Sequence, residues 1–199
     1  MANGNSVKIL AKILISVAVV MLGACANEPP RYGVSVANNI ALKAIKASKI
    51  GVGTFTRTAE INNNCRLLYG RVSLPSNMSF EGYIQKALSD ELEVADVLDK
   101  NEPKIILTGV VEKLEFSTLT HITGGGSWDI GLRINSSNGK SSYISEHYEF
   151  DASAQVWAAC AETADAYMPA VQDLIGKLIA SPDFKALITP IPASGGRLF

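Results

Sequence analysis

The sequence predicts an α+β domain: a mostly antiparallel sheet in β-α-β-β-β-α order, with the helices packed on one face. Three observations carry that prediction. Between Trp128 and Asn135, Trp128, Ile130, Leu132 and Ile134 alternate with Asp129, Arg133 and Asn135, the period-2 signature of a half-buried strand. Asn138-Gly139 follows, a hairpin signal because both central positions of a two-residue turn want positive φ. Apolar residues at three- and four-residue steps, over 80–92 and again over 160–179, place a helix on each side of the strand run.

In chain order, the first element is not part of the fold. Lys8 and Lys12 precede the apolar run Ile13 to Leu22, and no acid occurs before Glu28. A basic start, a short apolar core and small residues at a cut site make a secretory signal peptide over residues 1–24. The run falls short of the roughly 20 apolar residues that span a bilayer. Leu22-Gly23-Ala24-Cys25 resembles, more narrowly, a bacterial lipoprotein signal. That resemblance implies cleavage between Ala24 and Cys25, diacylglycerol on the Cys25 thiol, and a further acyl chain such as palmitate on the new amino terminus. Several acyl chains suffice for stable anchoring. With Ala26 rather than Asp after Cys25, the resemblance to enterobacteria-like lipoproteins further implies the outer membrane, with the body facing the periplasm.

Residues 25–48 read as the lipidated cysteine and a tether, stiffened by Pro29-Pro30, with a short amphipathic helix over Ile40 to Lys46. The single periplasmic domain is expected over 49–188. It opens with a strand, Lys49 to Thr56, and a polar loop from Glu60 to Ser76. Ser79 caps a helix with Glu81 in its first turn. Phe80, Tyr83, Ile84, Ala87, Leu88 and Leu92 form its buried stripe. Lys104 to Ser117 is a long strand, Trp128 to Asn135 the next, and Tyr143 to Phe150 the return, with Ile144, Tyr148 and Phe150 on one face. Cys160 to Ile179 is helical, and Pro169 either kinks that helix or starts a second one. Residues 189–199, rich in Pro and Gly, read as a loose tail.

Cys65 and Cys160 remain once Cys25 is acylated, in an oxidising compartment. An even remainder invites one disulfide. The alternatives are two buried free thiols or, with Arg66 beside it, a reactive Cys65. Topology favours pairing. If strand one runs up and the next three run up, down and up, the loop holding Cys65 and the start of the last helix share one end of the sheet.

The full chain carries 18 basic and 19 acidic residues, and removing residues 1–24 deletes two lysines and no acid, which leaves a net charge of −3. A mildly acidic body argues against a nucleic-acid partner and against a polybasic membrane patch.

This arrangement resembles the YajG-like outer-membrane lipoproteins. The resemblance rests on the strand Leu107-Thr108-Gly109-Val110-Val111-Glu112-Lys113-Leu114 and on the Asn138-Gly139 hairpin leading to Tyr148-Glu149-Phe150. It rests also on the closing helix Ala170-Val171-Gln172-Asp173-Leu174-Ile175 and its end Ser181-Pro182-Asp183-Phe184. It covers roughly residues 49–188 and implies a fold, not an activity.

Chemistry-bearing groups are sparse. His121 and His147 stand alone, without the spacing of a zinc site. Gly124-Gly125-Gly126-Ser127 lacks the Lys-Ser/Thr of a phosphate loop, and Ser127 lacks a nucleophile-elbow glycine. Glu91 and Glu93, two apart on a helix, face different ways. Glu146 shares the inward parity of Ile144 and Tyr148, which calls for a bulge or a water-filled end. Trp128 and Trp157 read as core or rim before ligand platform. Asn77-Met78-Ser79 matches a glycosylation acceptor without meaning in a bacterial lipoprotein.

No catalytic residue, metal site or cofactor is expected. The expectation is a non-enzymatic envelope module docking another envelope protein on its open sheet face, at Asp129, Arg133 and Tyr143, or along an edge strand. The alternative is a carrier of lipid or another hydrophobic ligand, with Trp128, Tyr83, Tyr148 and Phe150 lining an apolar cavity.

Overall fold

Alternation and helical stripes resolve into one sheet with helices on one side. The structure, a computed structural model, describes residues 26–45, 49–65, 70–118 and 125–191. Its elements are β1 (Ala26–Asn27), α1 (Val36–Ile45), β2 (Ile50–Arg57), β3 (Arg71–Val72), α2 (Phe80–Val94), β4 (Ile105–Ser117), β5 (Gly126–Ser136), β6 (Ser141–Phe150), α3 (Val156–Asp165), α4 (Tyr167–Ala180) and α5 (Phe184–Leu187). The signal peptide, the lipidation site Cys25, Arg66, His121, Gly124 and the tail from residue 192 lie outside the described residues.

The main sheet has the order β2-β4-β5-β6. β2 and β4 are parallel, joined through α2, and the other pairings are antiparallel. The fold is therefore α+β with a mostly antiparallel sheet, as the sequence predicts. The inward face carries Leu107, Val111, Leu114, Trp128, Ile130, Leu132, Ile134 and Ile144, all buried against the helices. A bulge between Val111 and Lys113 turns Glu112 and Lys113 both outward, which restores inward parity at Leu114.

α2 starts where its chemistry says it should. Ser79 is extended at the cap, and its hydroxyl accepts the Gly82 N–H at 3.1 Å. The buried stripe contains the six expected apolar residues and one more member, Glu91. Pro169 starts a second helix: the chain turns at Ala166 and α4 begins at Tyr167, so proline occupies the first turn, where no intrahelical amide is needed.

The turn between β5 and β6 departs from the expected pair of positive-φ residues. Only Gly139 is left-handed, at φ +81°, and the Gly139 N–H bonds the Ser136 carbonyl at 2.9 Å. Asn138 earns its place through its side chain, whose amide donates to the carbonyls of Ala186 and Thr189, each at 2.8 Å. Thr189 is therefore fastened to the fold rather than part of a loose tail.

Residues 26–45 also differ from the expected tether. β1 pairs with β3 in parallel. The Tyr83 hydroxyl bonds the Pro30 carbonyl at 2.8 Å, and Gln172 Nε2 bonds the Gly33 carbonyl at 2.6 Å. α1 begins four residues earlier than expected and packs on α2 and α4. Pro29 is buried, and the segment is a strap across the helices. Polyproline geometry leaves backbone carbonyls free, and here the domain uses them.

Candidate functional site

The open sheet face assembles a set of chemistry-bearing side chains from three strands. Outward parity on β4, β5 and β6 brings two cross-strand rows together. In the first, Arg133 donates to both oxygens of Glu112, Nε to Oε1 at 2.6 Å and Nη2 to Oε2 at 3.2 Å. The guanidinium also lies 5.4 Å from the centre of the Tyr143 ring, directly across the strand pair. Arg133 holds the Glu112 carboxyl below its usual range. In the second row Asp129 accepts from Lys113 Nζ at 3.1 Å and meets His147 Nδ1 at 3.1 Å. Asp129 raises the imidazole pKa, so the protonated ring is favoured beside it. Tyr143 and Ile106 are exposed large side chains on this face, and the Tyr143 hydroxyl lies over Gly131, where a Cβ would collide with it. The result is a polar surface with two apolar outcrops.

The edges of the sheet are unlike each other. β2 is partly blunted: Ile50 exchanges backbone bonds with Val97 and Asp99, and the Phe55 N–H donates to Gln85 Oε1 at 3.3 Å. Among the described residues β6 pairs only with β5.

Glu146 corrects the sequence reading. β6 keeps an unbroken register with β5, so there is no bulge. The carboxylate is buried, and Lys177 of α4 reaches it at 2.8 Å. A lysine on the facing helix answers the inward charge.

The two other sulfurs meet. Cys65 and Cys160 form a disulfide with Cα atoms 5.7 Å apart, both side chains buried. It sits where α3 begins to cover the sheet end, as the up-down-up tracing implies. Asn27 Nδ2 donates to Cys160 Sγ at 3.0 Å, so the strap is tied to the same corner.

Of the aromatic residues nominated for a ligand cavity, Trp128 and Tyr148 are cross-strand partners, Phe150 follows two residues along β6, and Tyr83 reaches Trp128 through the Tyr167 ring. Trp128 is fully buried between Phe116 and Tyr167, with ring centres 4.8 and 4.7 Å away, and its indole N–H donates to the Thr163 carbonyl at 2.8 Å. Phe150 packs over Gly126. Tyr83 borders a groove of about 310 Å³, with Arg31, Tyr32, Met78, Lys86 and Asp90 in its wall. Lys86 is occupied by Asp90 at 2.8 Å.

Glu91 is the residue that sequence reasoning placed in the wrong comparison. Glu93 is exposed and paired with Lys100, but Glu91 is fully buried. Its Oε1 accepts the Tyr32 hydroxyl at 2.6 Å, the Ser35 N–H at 2.9 Å and Asn38 Nδ2 at 3.2 Å. Burial, then this carboxylate, pushes the Tyr32 phenol far above its ordinary pKa. The signal was present: Glu91 lies three residues after Leu88 and seven after Ile84, inside the apolar stripe. It clasps the strap to α2. Among the described residues, no group of three or more His, Cys, Asp and Glu side chains converges on a metal position. Nor is any helix there long and apolar enough to cross a membrane.

No protein-family profile matches the chain, and no curated protein matches it. Two solved structures are similar at low identity. One is a protein of Xanthomonas campestris from the DUF330 family, 11% identical, covering 78% of this chain and 93% of that one, with a TM-score of 0.46. The other is a candidate lipoprotein from Caulobacter crescentus, 15% identical, covering 76% of this chain and 94% of that one, with a TM-score of 0.42.

Proposed function

We propose that this chain is a lipoprotein of the YajG-like kind, anchored in the outer membrane through lipid on Cys25 and facing the periplasm. There it acts as a non-enzymatic docking module for another envelope protein. The anchor rests on Leu22-Gly23-Ala24-Cys25 and the basic, apolar segment before it. The docking role rests on one observation: helices cover a single face of the sheet and leave Glu112, Asp129, Arg133, Tyr143 and His147 on the other. A set of ion pairs held in cross-strand register, with Tyr143 directly across from Arg133, offers a partner both hydrogen-bond geometry and apolar contact.

The carrier reading has less support, because Trp128 is fully buried, packed against Phe116 and Tyr167, and committed at its N–H to the Thr163 carbonyl. The test is photo-crosslinking in cells from Asp129, Arg133 and Tyr143, read by mass spectrometry. One dominant protein adduct common to the three positions is expected. Adducts to phospholipid alone would overturn docking in favour of the carrier.

A further inference from the structure

The strap changes what anchoring means. A flexible tether over residues 25–48 would let the domain roam on the order of 27 Å from its lipid, from 24 residues at about 5.5 Å times the square root of their number. The chain has no such slack. Ala26 is bonded directly to Cys25, and Ala26 is already opposite Arg71 in the β1–β3 pair. Asn27 is fastened on both sides: its carbonyl accepts the Ser73 N–H at 3.1 Å, and its side chain holds Cys160 Sγ. Further along, Pro30, Tyr32, Gly33, Ser35 and Asn38 are each bonded to α2 or α4. The distance from the acylated residue to the first paired residue is one peptide unit, about 3.8 Å between Cα atoms.

We infer that the corner built from β1, β3 and the Cys65–Cys160 disulfide rests on the lipid headgroups, and that the domain stands upright on it. The inference rests on Cys25 being the lipidated residue. The ends of β2, β4 and β6, the start of β5 and the start of α2 lie at this same end of the molecule. Asn62, Asn64 and Arg71 are exposed at the corner, and their side-chain donors suit the phosphate and carbonyl oxygens of headgroups. The Asn138–Gly139 turn is then the far end, roughly 33 Å away across the ten rises of β5 at about 3.3 Å each. The open face stands along the membrane normal, so its partner sits beside the domain rather than above it.

The test uses the full chain, expressed with its signal and purified from bacterial membranes into phosphatidylethanolamine/phosphatidylglycerol vesicles. A fluorescent amino acid replaces either Arg71 or Lys140, and acceptor dye is carried on lipid headgroups. Energy transfer at Arg71 is expected to exceed that at Lys140 by at least about threefold, given the ~33 Å difference in height. Inserting twelve Gly-Ser residues between Cys25 and Ala26 should collapse the contrast, since that linker adds about 19 Å of reach. The mass of the N-terminal peptide is read on the same sample. Acylated Cys25 with equal transfer at both positions overturns the upright placement and leaves the lipoprotein reading standing. An unacylated chain overturns the lipoprotein reading, and the placement with it.

Discussion

Removing the disulfide is the perturbation with the most readable consequence. Cys65 and Cys160 are separated by 95 residues, so the bond closes a loop holding about half the chain. The chain-entropy relation gives about 4.7 kcal/mol at 25 °C for a loop of this length. The replacement of both cysteines by alanine avoids burying new hydroxyls in a site where both sulfurs are buried. For a domain of this size each kcal/mol moves Tm by roughly 2–4 °C, so the double variant should melt about 10–18 °C lower. Far-UV circular dichroism melts of the oxidised chain, the chain in reductant and the double variant form the comparison. The last two should agree. A drop below about 3 °C, equivalent to no more than about 1 kcal/mol, would refute the reasoning. Such a result would mean that the strap, β3 and α3 hold the two chain ends together without the bond.

Three further outcomes are expected. Lys177→Met leaves the Glu146 carboxylate buried without its cation and should cost about 1–2 kcal/mol in urea unfolding, below the roughly 3–5 kcal/mol of a fully buried pair because Lys177 is half exposed. Pairing it with Glu146→Leu should recover that loss and raise self-association in sedimentation velocity, because an inward charge on an edge strand discourages strand-to-strand pairing. Glu91→Ala removes the acceptor of three donors and should cost about 2–4 kcal/mol, with hydrogen exchange rising over residues 30–45 while β5 stays protected. Tyr32, Tyr83 and Tyr167 have phenol pKa values raised, chiefly by burial. A raised folded pKa favours the protonated form, so their contribution is intact below about pH 10 and fades as pH climbs from there toward the folded values. Tyrosinate absorbance should therefore lag the free-phenol curve for these residues and appear together with alkaline unfolding.

The parts of the fold that were legible in the sequence are those whose burial is periodic. Trp128 to Ile134 and the stripe from Phe80 to Leu92 announce their inward faces because a strand or helix buries every second residue or every third and fourth. The strap has no period to read. Its segment is held by side chains from α2 and α4, Tyr83, Glu91 and Gln172, which lie from 53 to 139 residues away in sequence. Nothing local to Pro29-Pro30 distinguishes a docked polyproline segment from a free one. Glu146 shows a middle case: its parity was readable, but the identity of its partner depended on how α4 crosses β6. The two-residue turn failed for a chemical reason. Asn138 tolerates positive φ, yet three carbonyls of the α5 region give its amide a better use.

These same features weigh strand addition against flat docking. A strand added to β6 must continue the inward surface beyond Glu146, and Lys177 stands there with half of its side chain in water. The incoming strand would either bury that ammonium or leave a gap beside it, and both are costly. The outward face imposes no such condition. Its charges are already matched within the chain, Arg133 with Glu112 and Lys113 with Asp129, so a partner need not bring a compensating ion for each. Paired surface charges attract little at a distance, and affinity on such a face comes from fit around Tyr143 and Ile106. For the docking role proposed above, a flat contact on the open face is the expected mode, with β6 guarded by the ion pair beneath it.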